Sequence, residues 1–309
     1  MKVPAASQSD QPVYGGQAVI EGVMMRGRAC YAVAVRAPDR TIQVHTEPVG
    51  ALYRSRLTRI PFVRGLFVLW DALVLGIRAL TYSANVQAEA EGERLEGAPL
   101  VLTMGGSLLL GVAIFFLLPA GAAHLAGNLL LWPAWATNLF EGSLRLVLLL
   151  AYVSLIGLMP EIRRVYCYHG AEHKTINAFE AGAPLEPAQV AGYSREHLRC
   201  GTAFLLTLVI LSVLLFSALG PMPLGLRMIT RLLLIPVLAS LAYEYIRLSA
   251  RLHNIRWLRP LFAPNLWLQS LTTREPDEGM LEVAIAAFEA MRRGEAQASE
   301  SQTTPAPTS

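Results

Sequence analysis

His169-Gly170-Ala171-Glu172-His173 places two imidazoles and a carboxylate within five residues. On a helix, His169 and His173 stand one turn apart on the same face, and Glu172 borders it. This is the spacing of an H-x-x-E-H metal motif, in which two histidines hold zinc and the glutamate activates a water. Downstream, His197-Leu198-Arg199-Cys200-Gly201 offers a His and a Cys three residues apart, both ligand types that suit zinc. Four ligands would make a closed structural site, and three would leave a position free for catalysis. The spacing alone leaves both arrangements open. Without a metal, Cys200 reads as a small packing residue and the histidines as residues at a helix surface. The chain has six histidines, and three of them, His169, His173 and His197, fall in one short segment next to Cys200.

Two further carboxylates stand near unusual sequence. In Gly15-Gly16-Gln17-Ala18-Val19-Ile20-Glu21-Gly22-Val23-Met24-Met25-Arg26-Gly27, glycines bracket an apolar strand that carries Glu21 and Arg26. Glycines there let backbone approach a ligand or another segment closely. Glu21 reads either as a further ligand or base, or as a strand-edge carboxylate. No phosphate loop is present, since that would need a Lys-Ser/Thr ending before a helix. Glu244 lies between Tyr243 and Tyr245 near the end of an apolar stretch, one turn before Arg247, where it reads as an ion-pair partner or a cavity group. Asn265 to Pro276 combines Trp267 with a polar cluster, as in a loop closing over a membrane face or a Trp anchor at the interface.

The elements that must position these residues are largely apolar. Of 309 residues, 53% are hydrophobic and 16% charged, with a mean hydropathy of +0.41, which points to an integral membrane protein. The formal charge of +3 is too small and too scattered to suggest nucleic acid. Three cysteines, Cys30, Cys167 and Cys200, do not form a disulfide framework. The polar start has no adjacent apolar run, so no cleavable signal peptide is expected.

Four apolar spans are expected, over residues 100–118, 146–159, 202–226 and 232–243, the last continuing weakly to 247. Residues 60–80 are broken by Arg64, Asp71 and Arg78 at seven-residue intervals, which predicts an interfacial helix or one packed on the bundle. The 120–141 connection has no Lys or Arg. The 160–200 segment and the stretch after the last span are rich in Arg, which puts both termini and the 160–200 loop on the cytoplasmic side. Only Arg227 and Arg231 argue against that orientation. The candidate site residues then share one side of the membrane. Residues 29–35 and 41–46 flank the turn Ala37-Pro38-Asp39-Arg40 and predict a β-hairpin, extended by a strand around residues 17–25. Pro276-Asp277-Glu278 opens a helix with Leu281, Ala284, Ile285, Phe288 and Met291 at helical spacing. The expected organisation is mainly α: a disordered N-terminus (1–12), a cytoplasmic β-rich segment (13–59), an amphipathic segment (60–98), a transmembrane bundle (99–259), a cytoplasmic C-terminal loop and helix (260–293) and a disordered tail (294–309).

At the glycine stretch, at Tyr168 to Thr175, at His197 to Phe204, and at Leu266-Trp267-Leu268-Gln269 with Thr272 to Pro276, the chain resembles the bacterial membrane-protein family known as domain of unknown function 1385. The resemblance runs from Gly15 to about Arg293. Leu198 stands where the family is expected to have Pro, and Ala203 where Ser is usual; neither supplies a ligand atom. Members of the family are often described as predicted metal-dependent enzymes, so the resemblance implies a metal site without giving a reaction.

Taken together, the residues lead to a multi-pass inner-membrane protein with a divalent metal, zinc by ligand type, at its cytoplasmic face. His169 and His173 would be ligands, with His197 or Cys200 completing the set and Glu172 as base for a hydrolytic step on a membrane-associated substrate. The competing expectation is a metal-stabilised scaffold or assembly factor without turnover, with all four of His169, His173, His197 and Cys200 on the metal. A transporter ranks last, because the spans carry few polar groups and no inverted repeat is evident.

Overall fold

A computed structural model describes residues 14–50, 60–89, 97–197, 200–252 and 255–303. It is mainly helical, with one four-stranded sheet at the N-terminal end. The strands β1 (Gly15–Val19), β2 (Gly22–Arg26), β3 (Cys30–Arg36) and β4 (Ile42–Pro48) form an antiparallel meander. The β3–β4 hairpin lies where alternation and the turn predicted it. The stretch read as one strand around residues 17–25 is instead a second hairpin, closed at Ile20-Glu21 with Val19 opposite Gly22. Glu21 takes a left-handed φ of 52° to close that turn. A Cβ on Gly22 would stand 2.3 Å from the Ala34 carbonyl oxygen, so β2 can lie against β3 only with glycine there.

The period-two alternation divides the sheet into two buried faces. Val23, Met25, Ala32 and Ala34 pack under α5 (Pro160–Glu180) and α11 (Glu278–Thr303). Val19, Met24, Tyr31, Val33 and Val35 pack under α1 (Val63–Ala88), against Leu75, Ala79 and Val86. The polar stripe on α1 is used for tertiary contacts. Asp71 is buried against Arg26 at 2.5 Å, Arg64 pairs with Glu244, and Arg78 reaches Glu47 at 3.5 Å. The stripe therefore ties α1 to the sheet and to a bundle helix, which matches the packed alternative of the sequence reading.

The bundle is formed by α2 (Ala98–Val112), a π-helical turn (Ala113–Leu117), α3 (Leu118–Leu129), α4 (Ala134–Ile156), α7 (Thr202–Ser217), α8 (Leu224–Leu233), α9 (Ile235–Leu252) and α10 (Arg259–Thr272); a short α6 (Pro187–Val190) lies outside it. Two helical segments are long and apolar enough to cross a membrane, Leu102–Leu129 and Ala134–Ile156. A third qualifies if Leu224–Leu233 and Ile235–Ser249, bent by 43°, count as one span. Large apolar side chains such as Leu109, Leu125, Leu129, Val147 and Leu155 face outward from them. α7 has 16 residues and so covers about 24 Å, less than the hydrocarbon core of about 30 Å.

The expected span boundaries need correction: the third, α7, ends at Ser217 rather than 226, the fourth stretch is split between α8 and α9, and the shifts of the first two have a physical reason. The first segment does not end before Pro119. The π turn just ahead of it absorbs the missing N–H, and the Phe115 carbonyl that Pro119 cannot serve accepts Arg145 Nε at 2.8 Å. The second begins at Ala134 rather than 146, because Arg145 is buried in a salt-bridge cluster and does not mark a helix end. The tail expected to be disordered from 294 is helical to Thr303. Glu295 Oε1 accepts the Ala29 and Cys30 N–H groups at 2.5 and 3.1 Å, which docks this polar stretch on the sheet. The expected disorder at 1–12 and 304–309 falls outside the described residues.

Candidate metal centre

The H-x-x-E-H residues occupy the middle of α5, which starts at Pro160, a residue suited to the first helical turn. Each position in the motif meets a different neighbour. Ala171 is fully buried under the sheet. A Cβ on Gly170 would lie 2.2 Å from the Arg274 carbonyl oxygen, so the segment after α10 can cross α5 only at a glycine. Arg274 N–H donates to the Tyr166 carbonyl at 2.9 Å and fixes that crossing. Beyond the motif, the buried Lys174 donates to the Ala191 carbonyl at 2.6 Å and pairs with Glu275, also at 2.6 Å.

His169 and His173 stack edge to face with ring centroids 4.4 Å apart. His169 Nδ1 lies 3.0 Å from the Thr272 carbonyl, and His173 Nδ1 lies 2.6 Å from the Arg195 carbonyl. A carbonyl oxygen only accepts, so both Nδ1 atoms carry the proton and both Nε2 atoms present a lone pair as acceptor. Cys200, just before α7, brings its Sγ to 3.2 Å from His169 Nε2, and the Thr202 hydroxyl and N–H hold the sulfur at 3.0 and 3.4 Å. His173 Nε2 has no hydrogen-bond partner, the one such buried side-chain nitrogen or oxygen among the described residues.

Ligand atoms of His169, His173 and Cys200 lie within 4.8 Å of one another. Zn–N and Zn–S bonds of about 2.0–2.3 Å imply ligand atoms about 3.4–3.6 Å apart in a tetrahedral site, so a small inward adjustment would seat an ion. Metal-bound histidines characteristically donate their other N–H to a carbonyl or carboxylate, and both do so here. The donor set and the orphaned His173 Nε2 thus fit a divalent metal of zinc type. Burial, outweighing the nearby Cys200 sulfur, holds His173 below its ordinary pKa and keeps it in the neutral form a ligand needs.

Glu172 is buried beside this set. A Cβ on Gly16 would fall 2.9 Å from the Glu172 side chain, so the glycine of β1 makes the room. Burial pushes the Glu172 carboxyl up, against the pull of His169 and His197. His197 is buried next to His173, with centroids 5.7 Å apart, but its Nε2 faces Glu180 at 3.5 Å. Burial lowers its pKa despite the Glu172 charge. Gln269, fully buried in α10, clamps the His197 backbone, its Oε1 accepting the N–H at 3.0 Å and its Nε2 donating to the carbonyl at 2.9 Å.

The structure brings His169, His173 and Cys200 together, with Glu172 and His197 at their side. Glu21 is not among them. It pairs with Arg164 and accepts the Tyr168 hydroxyl at 3.3 Å, which is the role of a turn carboxylate. Glu244 takes Arg64 and the Phe62 N–H instead of Arg247 as its hydrogen-bond partners. Asn265 to Thr272 is the end of a helix and not a loop. Supporting groups that the sequence reading did not assign are Gly16, Gly170, Gln269 and the Thr272 and Arg195 carbonyls. Backbone acceptors carry no sequence signal, although the polar cluster after Trp267 did mark the region of Gln269 and Thr272. His253, Asn254 and Leu198 lie outside the described residues.

A family model described as "Protein of unknown function (DUF1385)" matches residues 60–293. The chain is also 34% identical to "Uncharacterized protein YqhQ" of Bacillus subtilis (strain 168), over 94% of this chain and 96% of the relative. The family match leaves the glycine stretch of β1 and β2 outside it, whereas the relative's coverage is nearly complete. Neither description names a metal or an activity. No solved structure matches.

Proposed function

The chain belongs to the DUF1385 family, and from the geometry around His173 we propose that it is a multi-pass membrane protein whose cytoplasmic face carries a catalytic divalent-metal site. His169 Nε2, His173 Nε2 and Cys200 Sγ would hold the ion, and zinc suits this nitrogen and sulfur set. The observation that carries the reading is the buried, unpartnered His173 Nε2 beside two further donors. A buried imidazole with nothing to accept from is costly unless an ion occupies the lone pair.

A bound zinc ion would supply Lewis-acid polarisation of an oxygen centre. The protein's residues do the rest. The Thr272 and Arg195 carbonyls fix both histidine tautomers, Thr202 fixes the sulfur, and Gly170 lets the segment carrying Arg274 cross α5 closely. Glu172 is placed to take and return a proton during hydrolysis of a membrane-associated substrate. Three protein donors favour an open catalytic site over the closed scaffold site, which would need His197 to turn from Glu180. The four-span, both-termini-inside topology belongs to this proposal. It draws on the arginine-rich 160–200 and post-247 stretches and would require α7 to be completed by flanking residues.

Glu172→Gln separates the two readings. The catalytic reading expects the variant to retain the wild-type metal content while failing to complement a deletion strain. Full complementation by Glu172→Gln would remove the catalytic role and leave a structural metal site.

A further inference from the structure

Glu141, two turns into α4, is the hub of a buried charge cluster. Its Oε1 accepts Arg145 Nη2 and Arg231 Nε, each at 2.9 Å, and its Oε2 accepts Arg227 Nε at 3.1 Å and Arg231 Nη2 at 2.9 Å. Asn138 Oδ1 takes Arg227 Nη2 at 2.5 Å and Arg231 Nη2 at 3.4 Å. Arg145 is further held by Ser212 Oγ at 2.7 Å, and Phe216 lies under Arg145 and Arg231. None of the four charged side chains is more than 8% exposed. Three guanidinium groups share one carboxylate, so the cluster carries an uncompensated +2 inside an apolar bundle.

Uncompensated charge in such surroundings is costly and marks a place where a counter-charge is wanted. A cavity of about 120 Å³ adjoins the cluster on one side. Arg227, Arg231 and Asn138 line one wall, and His124, Asn128 and Trp132 line another. Glu141 and Asn138 occupy the Nε and Nη2 groups of both Arg227 and Arg231. Their Nη1 groups have no acceptor among the described residues. The cavity is well below the roughly 300–1,000 Å³ that encloses drug-sized ligands, so it suits a small, strongly charged group. It opens where α3 meets α4 and where α7 leads to α8, whereas Cys200 and α5 lie at the other ends of α7 and α4. The 23 residues of α4 alone separate the two ends by about 34 Å.

We propose that this cavity binds a phosphate-type oxyanion, free or as a lipid phosphodiester, with Arg227 and Arg231 as a paired clamp and His124 and Asn128 completing the shell. Planar guanidinium groups suit tetrahedral oxyanions because they offer paired, parallel N–H donors. The assignment is independent of the metal reading, since no residue is shared.

The test uses full-length protein, delipidated in detergent, with two probes: inorganic phosphate followed by calorimetry, and dioleoylphosphatidylglycerol followed by native mass spectrometry. Arg227→Gln removes one arm of the clamp. Ala134→Phe fills the cavity from its rim without touching the charge cluster, so it keeps the test valid if the arginine variant does not fold. Binding of either probe that weakens at least tenfold in Ala134→Phe supports the site. A response to phosphate alone identifies a free anion, and a response to the phospholipid alone identifies a headgroup. No binding of either probe, or binding unchanged in Ala134→Phe, overturns the proposal.

Discussion

At the scale of single residues, the candidate centre is a set of complementary absences and donors. Gly170 and Gly16 matter for the Cβ atoms they lack, one admitting the Arg274 backbone and the other the Glu172 side chain. His169 and His173 matter for the lone pairs that their backbone partners leave free. Gly170→Ala should force the segment after α10 off α5, at a cost of about 1–3 kcal/mol for overpacking, and displace the Thr272 carbonyl from His169. The expected readout is a lowered melting temperature together with partial loss of metal. Wild-type values for both would mean that the crossing at Gly170 is looser than described. The His169/His173 pair was legible in the sequence because i,i+4 spacing survives into the helix unchanged. Glu21 stayed open between a strand-edge and a catalytic role because a turn carboxylate and a catalytic one look alike in sequence. Only its left-handed φ and the Arg164 contact distinguish them.

At the scale of elements, the sheet is held by α1 on one face and by α5 with α11 on the other, so the hairpin carrying Glu21 and the helix carrying Glu172 form one unit. Tyr31, in β3, reports on the α1 side. Its hydroxyl donates to Glu47 at 2.5 Å, and burial, reinforced by Glu47, pushes its pKa up to about 12. The folded value lies above the unfolded value of about 10. The protonated form is therefore favoured by folding, and the contribution is complete below pH 10 and lost as pH rises through about 12. Tyr31 is one of several tyrosines that burial raises, so an alkaline absorbance titration should lose one late-titrating group in Tyr31→Phe, and the wild type should lose stability more steeply above pH 10 than that variant. A Tyr31 that titrates near 10 would contradict the packing of α1 on β3. The hairpins were readable from alternation and turn residues. The helical stretch 294–303 was not, because its docking depends on Glu295 meeting N–H groups more than 260 residues away in sequence.

At the scale of the whole molecule, two polar sites lie at opposite ends of an apolar bundle. The Cys200 end of α7 faces the sheet and α5, and the other end leads to the arginine cluster around Glu141. In the sequence, Arg227 and Arg231 stood out as exceptions to the charge pattern of the loops. Their burial on Glu141 accounts for that exception, since they are interior residues and not loop charges. Glu141→Gln leaves three buried guanidinium groups without a carboxylate, and removing one partner of a buried pair costs about 3–5 kcal/mol. The variant should fail to accumulate in membranes, and a second change, Arg231→Met, should recover part of the yield. Normal accumulation of Glu141→Gln alone would mean the cluster is hydrated. Span ends were hard to place from composition because Arg145 is absorbed inside the bundle by Glu141 and the helix continues past Pro119 through the π turn.

The central claim is that His169, His173 and Cys200 form a metal site, and the most direct test is elemental analysis of purified full-length protein by mass spectrometry. The wild type should carry close to one equivalent of zinc or a related divalent metal per chain. At least most of that metal should be lost in His173→Ala and in Cys200→Ala, with Glu172→Gln retaining it. A wild-type protein without stoichiometric transition metal, or His169→Ala and His173→Ala variants with undiminished content, would contradict the claim.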